Sequence, residues 1–581
     1  MCGIFCLVDI SGVKESHICE KFNMGKARGP EQSVITNVTD RILFGFHRLA
    51  INGHNNPNSE QPLTINNCIL ICNGEIYNWE ALKKIMKVKC TTGSDCEIII
   101  HLYKKYGIDQ TLQMLDGVFS FALYDTIKNK LLIARDPFGI RPLFFWKDRN
   151  KSLVFASEIK MGNNIIDAEP EPFPPGSYIY MAIDDEKPCD FVFNKYHLNN
   201  TFTNPAIKYI EDTVNPISSS LTEAVRKRVM NTDREIACLL SGGLDSSLIT
   251  ALVVKEFNNM CGPEGSNMLH TWSVGMEGSE DLRMARLVAD HLKTTHHEIK
   301  LTEQDFIDAI PEVIRIIESN DTTTIRASVG NYLICKHIRE QSIAKVVFNG
   351  DGSDEVTGGY LYFHYAPDSI EFDMECRRLL KDIHLFDVLR SDRTVACHGL
   401  EARTPFLDRG FVDAYLSIPA HLRDHNNTKK CEKFLLRNAF DDGKLLPREV
   451  LWRQKEAFSD GVSKKTKSWF EIIQDFAGNK YNMNGKEAEQ KYYDDIFYQY
   501  YGENVKQIIP YKWMPRFIDA VDSSARTLDI YNNKCIRCKG SGLMKRTKKY
   551  ECYNCKGHSG YKRCYLCENA NVGLFSECDK C

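Results

Sequence analysis

EIACLLSGGLDSS, residues 235–247, decides the fold. EIACLL is a short apolar run of strand length, and LDSSLITALVVKEF behind the loop has the length and apolar content of a helix. Between them Gly242 and Gly243 let the backbone approach a ligand closely. A helix N-terminus behind such a loop presents free N–H groups and a dipole that favours anions. Ser241, Ser246 and Ser247 add hydroxyl donors. The loop has neither the lysine of the P-loop nor the spacing of the dinucleotide fingerprint. Phosphate is therefore the expected guest, with Asp245 as a candidate magnesium ligand, since Mg²⁺ prefers carboxylate and phosphate oxygens.

Outward from this stretch the same order recurs. LHTWSVGM is followed by SEDLRMARLVADHL, and KVVFNG by another loop. Strand, loop and helix in alternation predict an α/β unit with a mostly parallel sheet. Towards the N-terminus the rhythm differs: RILFGFHRLAI, NCILICNGEIY, SFALYD, KLLIARD, LVFASE and GSYIYMAI read as strands punctuated by turns, an antiparallel layered domain. One helix, CEIIIHLYKKYG, places Ile98, His101 and Leu102 on one face and is expected to end at Gly107. The expected organisation is thus residues 2–195, a polar connector 196–214, an α/β domain 215–530, and a cysteine-rich module 531–581.

The 581 residues allow several domains with large cores. A net charge of −3 argues against a nucleic-acid or membrane-surface protein as a whole. No apolar run approaches the roughly 18 residues of a membrane span. The opening lacks the features of a signal peptide, so a cytoplasmic, reducing setting is expected.

The chain begins MCGI. If Met1 is removed, Cys2 carries both a thiol and a free α-amine that titrates near pH 8 and can serve as its base. Arg48 in HRLAIN is a fixed cation suited to a carboxylate. Asn73 and Gly74 of NGE could form an oxyanion hole, while Glu75 and, in TGSDCE, Asp95 could hold an ammonium. Each has a plainer reading, a surface ion pair for Arg48 and a hairpin turn for Asn-Gly.

Together MCGI, HRLAI, NGEIYN and GSDCE, in order and spacing, resemble the class II glutamine amidotransferases. SGG-x-DS resembles the pyrophosphate loop of ATP pyrophosphatases. With SVGMEGSEDL, TTTIRAS, GDGSDEVTGGY, HGLEARTPFLD and LWRQKEAFSDGV added, residues 1 to about 525 resemble the glutamine-hydrolysing asparagine synthetase family. The resemblance implies a four-layer α+β N-terminal-nucleophile sandwich ahead of an ATP-pyrophosphatase domain. It implies that Cys2 releases ammonia from glutamine, held by Arg48, Leu49, Ala50, Ile51, Asn52, Asn73, Gly74, Glu75 and Asp95. It further implies that ATP converts aspartate to β-aspartyl-AMP, which the ammonia attacks. Leu239, Ser241, Gly242, Gly243, Asp245, Ser246, Val274, Asn349 and Gly350 would bind ATP. Asp245 and Asp354 would carry Mg²⁺, and Thr323, Thr324, Arg326 and Lys455 would surround the adenylate and pyrophosphate. The family commonly reads Ser-Gly-Glu where this chain has Asn349-Gly350-Asp351, so the catalytic acid Asp351 is one methylene shorter. Two alternatives stay open: an amidotransferase of the same build acting on another carboxylate, and a degenerate synthetase serving as a zinc-tethered interaction protein. So does a homodimer.

The tail holds eight cysteines as four C-x-x-C pairs: Cys535 with Cys538, Cys552 with Cys555, Cys564 with Cys567, and Cys578 with Cys581. Such spacing lets a pair point both thiolates at one ion, so two structural Zn²⁺ are expected. The first pair, with its glycines, resembles the zinc-binding domain of DnaJ-type co-chaperones, and the later pairs do so only in part. The tail carries ten Lys/Arg against four Asp/Glu, but two Cys₄–zinc centres would leave a net of only about +2. An unfolded peptide or another protein fits that balance better than nucleic acid.

Overall fold

The computed structural model describes residues 1–502 apart from 11, 184–189, 199, 263, 456–460 and 464–466. It also describes 512–517 and two short strands, Met544–Lys545 and Glu551–Cys552. The expected zinc ligands are not brought together by anything described. Cys535, Cys538, Cys555, Cys564, Cys567, Cys578 and Cys581 lie outside the described residues. Cys552 is described only as backbone at the end of its strand, where it pairs with Met544.

Twelve strands build the N-terminal part: β1 (Gly3–Val8), β2 (Gln32–Asn37), β3 (Ile42–Arg48), β4 (Leu63–Ile65), β5 (Cys68–Ile76), β6 (Gly117–Asp125), β7 (Lys130–Arg135), β8 (Phe144–Lys147), β9 (Leu153–Ala156), β10 (Glu171–Pro172), β11 (Ser177–Ala182) and β12 (Asn194–Lys195). They form two six-stranded antiparallel sheets, ordered β10-β8-β9-β1-β3-β2 and β12-β11-β7-β6-β5-β4. Alternation sends Ile4, Cys6 and Val8 of β1 towards Ile71, Ala122 and Ile133 of the other sheet, which seals the space between them. The outer faces are covered by helices α1 (Glu15–Asn23), α2 (Trp79–Met86), α3 (Glu97–Met114) and α4 (Ile159–Gly162). The result is helix, sheet, sheet, helix, the layering that the resemblance implies. The expected stop is found: Gly107 takes φ +78° and ends the first helical stretch, and a second stretch follows at once to Met114, with Ile108 and Leu112 buried against the same sheet.

The second part opens with α5 (Val214–Met230). Its sheet is parallel, with β13 (Ile236–Leu239), β14 (His270–Gly275), β15 (Thr295–Lys300), β16 (Val346–Phe348) and β17 (Glu401–Arg403) in the order β15-β14-β13-β16-β17. The crossovers include α6 (Leu244–Cys261), α7 (Glu280–Leu292), α8 (Glu303–Ile317) and α9 (Thr322–Gln341). The chain winds outward from β13 to β15, then returns to β16 on β13's other side. That reversal leaves a crevice beyond the strands' C-terminal ends, where ligands of open α/β sheets bind. Beyond β16 come α10 (Ser353–Thr357), α11 (Ser369–Asp382) and α12 (Asp387–Ala396).

Buried charges join the two parts. Arg28 meets both oxygens of Asp392 on α12, at 2.6 and 3.0 Å, and Glu158 at 3.0 Å. Its Nε also donates to the Cys2 carbonyl at 2.9 Å. Arg393 adds Glu318 and Glu158, both at 2.9 Å. Breaking one such buried pair by truncating one partner typically costs about 3–5 kcal/mol, since the other charge is stranded. Among the described residues no helix is long and apolar enough to cross a membrane.

Candidate active sites

The first site gathers around Cys2, one residue ahead of β1. Its Sγ accepts from the Leu49 amide at 3.4 Å and lies 3.5 Å from the Leu49 carbonyl, so the end of β3 fixes the sulfur. Burial pushes the thiol's pKa up. Met1 is fully buried, and its amine donates to the Leu400 carbonyl at 2.9 Å. Burial lowers that amine's pKa to about 5.

Asn73 stands on β5 with its amide fully buried and both Oδ1 and Nδ2 unpaired among the described residues. A buried amide without a partner costs about 1–3 kcal/mol, an arrangement expected where a ligand completes it. Gly74 follows it on the strand, pressed so close to β6 that a Cβ would lie 2.5 Å from the Val118 carbonyl oxygen. Arg48 is largely buried and donates to the Gly53 carbonyl at 3.1 Å. Glu75 Oε2 accepts from Asn52 at 2.7 Å and Asn231 at 2.9 Å, with Arg403 at 3.4 Å. Asp95 Oδ2 accepts from the Ile76 amide at 2.6 Å. Burial raises the pKa of both carboxyls, and at Glu75 the neighbouring Asp95 adds to it. Asn231 and Arg403, from α5's end and β17, are additions that sequence reasoning missed; they complete this site from the other domain. Ala50 is tied through its backbone to Glu31 and Arg234, and Ile51 is core.

The loop carrying Asp95 is held by Glu97, whose carboxylate accepts from the Thr91 and Thr92 amides, both threonine hydroxyls and His101. Cys90, Glu97 and His101 are the one grouping of metal-ligand type among the described residues. Glu97's oxygens are already engaged, so the grouping reads as a loop clamp.

The second site fills the crevice at the sheet's reversal, a cavity of about 330 Å³. Leu239, Ser241, Asp245 and Ser246 reach it from β13 and its loop, Val274 from β14, and Asn349, Gly350, Asp351 and Asp354 from β16 and its loop. Gly243 lines a smaller recess beside it, together with Lys433 and Arg453. Gly242 has φ +73°, and a Cβ there would lie 2.4 Å from Met284 Cβ, so only glycine fits. Gly350 is needed for contact: a Cβ would lie 2.8 Å from Asp245 Cβ. Ser241 donates its amide to Ser246 Oγ at 3.1 Å, closing the loop on itself. Ser247 departs from expectation. It is fully buried and does not line the cavity, because one further residue along α6 turns its side chain into the domain core.

Thr323, Thr324, Arg326 and Lys455 all line the cavity. Thr324 Oγ1 donates to Asp321 at 2.7 Å, and Arg326 Nε to Glu489 at 2.7 Å, so both are positioned by neighbours. Lys455 Nζ donates to Asp354 Oδ2 at 2.7 Å. Burial alone would raise Asp354's pKa, but the ammoniums of Lys433 and Lys455 outweigh it and hold the carboxyl below its usual range. Asp351 accepts from Asn349 Nδ2 at 2.6 Å through one oxygen and from Arg390 at 3.0 Å through the other. Asp387, also on α12, accepts the Gly352 amide at 2.9 Å. Its pKa is raised to about 6, chiefly by burial, with Asp351 and Asp354 adding to it against the pull of Arg390. Glu355, Asp387, Arg390 and Lys433 were not singled out in the sequence. Glu355 lies within GDGSDE, which could have flagged it; the others carry no local signal.

The carboxylates of Asp245 and Asp354 come from the first turns of α6 and α10 yet converge on one point, where the Lys433 ammonium lies 2.6 Å from each. Two such oxygen donors beside a phosphate loop fit Mg²⁺.

Comparison with known proteins gives two family matches and three relatives. Residues 217–377 and 368–512 match the asparagine synthase family, and residues 1–191 match the glutamine amidotransferase domain. Asparagine synthetase [glutamine-hydrolyzing] of Gallus gallus is 40% identical, covering 92% of this chain and 99% of its own length. The proteins of that name from Cricetulus griseus and Homo sapiens are 41% and 40% identical, with the same coverage.

Proposed function

We propose a division of labour from one premise: this chain belongs to the glutamine-hydrolysing asparagine synthetase family. Its activity is the ATP-dependent amidation of aspartate with nitrogen from glutamine. The observations that support the residue-level reading are the buried, unpaired Asn73 amide in the domain that Cys2 opens, and the convergence of Ser241, Asp245 and Ser246 with Asp351 on one cavity in the other.

In the first site, removal of Met1 leaves Cys2's own amine as the base for its thiol. The thiolate attacks the glutamine Cδ, and Asn73 with the Gly74 backbone stabilises the oxyanion that develops. The carbon–nitrogen bond breaks, the leaving nitrogen takes the proton, and water hydrolyses the thioester to glutamate. Arg48, Glu75 and Asp95 hold the amino-acid end, and Leu49 to Asn52 form the wall.

In the second site an aspartate β-carboxylate oxygen attacks the α-phosphorus of ATP and pyrophosphate leaves. Ammonia then attacks the acyl carbon, AMP departs, and Asp351 accepts the excess proton. Asp245 and Asp354 would hold Mg²⁺, which would supply charge neutralisation on the phosphates. Lys455 and the loop of Ser241, Gly242, Gly243 and Ser246 orient those phosphates, with Leu239, Val274, Asn349 and Gly350 around the nucleoside. Seating in the cavity shields the adenylate from water.

The tail is proposed as a separate two-zinc module. Its support is the sequence alone: the pairs Cys535 with Cys538, Cys552 with Cys555, Cys564 with Cys567 and Cys578 with Cys581 offer eight thiolates, a donor set that suits Zn²⁺. Supplying glutamine, aspartate, ATP and Mg²⁺ tests the reading of the two catalytic sites. Asparagine, glutamate, AMP and pyrophosphate in equal amounts are expected, whereas ADP and phosphate would refute adenylation.

A further inference from the structure

Lys433 follows none of the motifs, yet its ammonium lies between the two carboxylates at the edge of the second site. The residue takes φ +56° at the start of the helix Phe434–Ala439, and its side chain is almost fully buried. Nζ lies 2.8 and 2.6 Å from Asp245 Oδ1 and Oδ2 and 2.6 Å from Asp354 Oδ1. Ser353 Oγ also donates to Asp245 Oδ1 at 2.7 Å. One ammonium thus bridges both carboxylates. Gly359 packs against the lysine stem: a Cβ there would lie 1.9 Å from Lys433 Cε. The stem is therefore confined, and its charge falls where one cation could meet both carboxylates.

We propose that Lys433 is a resident counter-ion that holds the metal position between Asp245 and Asp354 until nucleotide arrives, so that the divalent cation enters only together with the polyphosphate. This rests on the reading of Asp245 and Asp354 as metal ligands. Charge balance is the reason. Asp245 and Asp354 are offset by Lys433 and by Lys455, whose Nζ is 2.7 Å from Asp354 and 3.9 Å from Asp245. A divalent cation entering alone would leave two positive charges uncompensated in a buried site, which is costly. Without any cation the two carboxylates would repel across a low-dielectric gap. A nucleotide's phosphates resolve both problems. They bring the negative charge that the metal needs and give the displaced ammonium a charge-assisted partner. Mg²⁺ itself favours one or two carboxylates plus phosphate over an all-protein cage. Lys433 is thus a positioning residue, keeping two loops in register for an incoming metal–nucleotide pair.

Mn²⁺ is the probe, its binding to the full-length protein followed by equilibrium dialysis and by the electron-spin signal of the free ion. The ion counted is the one lost on Asp354→Asn. Wild-type protein should hold none with Mn²⁺ alone and one when α,β-methylene-ATP is added, a nucleotide that cannot react at its α-phosphate. Lys433→Met should hold one without nucleotide, at least about tenfold tighter than wild type. Should wild type bind that ion equally well with and without the nucleotide, the counter-ion role is overturned. A soluble Lys433→Met protein with no gain overturns it too. Absence of the ion from wild type even with nucleotide would instead refute Asp245 and Asp354 as ligands, and the proposal with them. If Lys433→Met does not fold, the two wild-type arms still decide the matter, read also as the shift in unfolding temperature with Mn²⁺ alone against Mn²⁺ plus nucleotide.

Discussion

Asn73 and Asp351 illustrate how differently single residues announce themselves. Asn73 sits in NGE, a pattern legible in the sequence, and the fold leaves its buried amide unpaired. Asp351 was legible only as a shortened acid. The structure adds that Asn349 and Arg390 each hold one of its oxygens, so the longer residue at 349 supports the shorter one at 351. Cys2→Ala should lower glutamine-dependent synthesis by about a thousandfold or more, since the nucleophile is gone. Synthesis from ammonium salts should stay within about twofold, because the sulfur's hydrogen-bond partner among the described residues is Leu49, in the first domain. Assaying both nitrogen sources on one preparation checks this, and loss of both in a folded variant would refute two separate sites. Asp351→Asn should cost about a hundredfold in ammonium-dependent synthesis, the usual scale for a positioned acid or base. Asp351→Glu should keep activity, and an equally active Asn variant would remove Asp351 from the mechanism.

At the level of elements, the strand-loop-helix order after residue 215 was readable because a parallel sheet demands apolar strands and Gly-rich turns. The stop at Gly107 was readable too, but the second helical stretch behind it was not, since it depends on burial of Ile108 and Leu112 against the sheet. Nor was the role of Glu97, which depends on how the backbone of Thr91 and Thr92 folds over it. Burial alone would raise its pKa, but hydrogen bonds from His101, Thr92 and Thr91 outweigh that and lower it to about 2. A depressed folded pKa means that Glu97 stabilises the protein above its ordinary value of 4.5 and loses this contribution as pH falls towards about 2. Glu97→Gln should therefore unfold several degrees below wild type at pH 7, with the gap closing as pH falls through that window. Thermal melts at stepped pH measure it. A gap independent of pH would deny the charge a role. Because the same loop carries Asp95, the variant should also raise the KM for glutamine.

The whole molecule joins its two parts through charges that no single motif contains: Arg28 reaches both the Cys2 carbonyl and Asp392, and Asn231 and Arg403 reach Glu75. Partners hundreds of residues apart leave no local pattern, which is why the motifs were legible and their joint was not. The tail behaves differently in this account. Truncation after Tyr531 should leave glutamine hydrolysis and ammonium-dependent synthesis within about twofold of the full chain, because every residue assigned to chemistry lies earlier. The full chain should carry about two zinc ions by elemental analysis, consistent with a 47-residue segment too short to fold securely on an apolar core. Zinc-free protein prepared under reducing conditions would contradict the metal assignment. The central claim, that one cavity activates aspartate by adenylation, is tested most directly by isotope transfer. With aspartate carrying ¹⁸O in its β-carboxylate, one labelled oxygen should appear in the phosphoryl group of AMP for each asparagine made. Label in pyrophosphate or inorganic phosphate instead, with AMP unlabelled, would contradict the account.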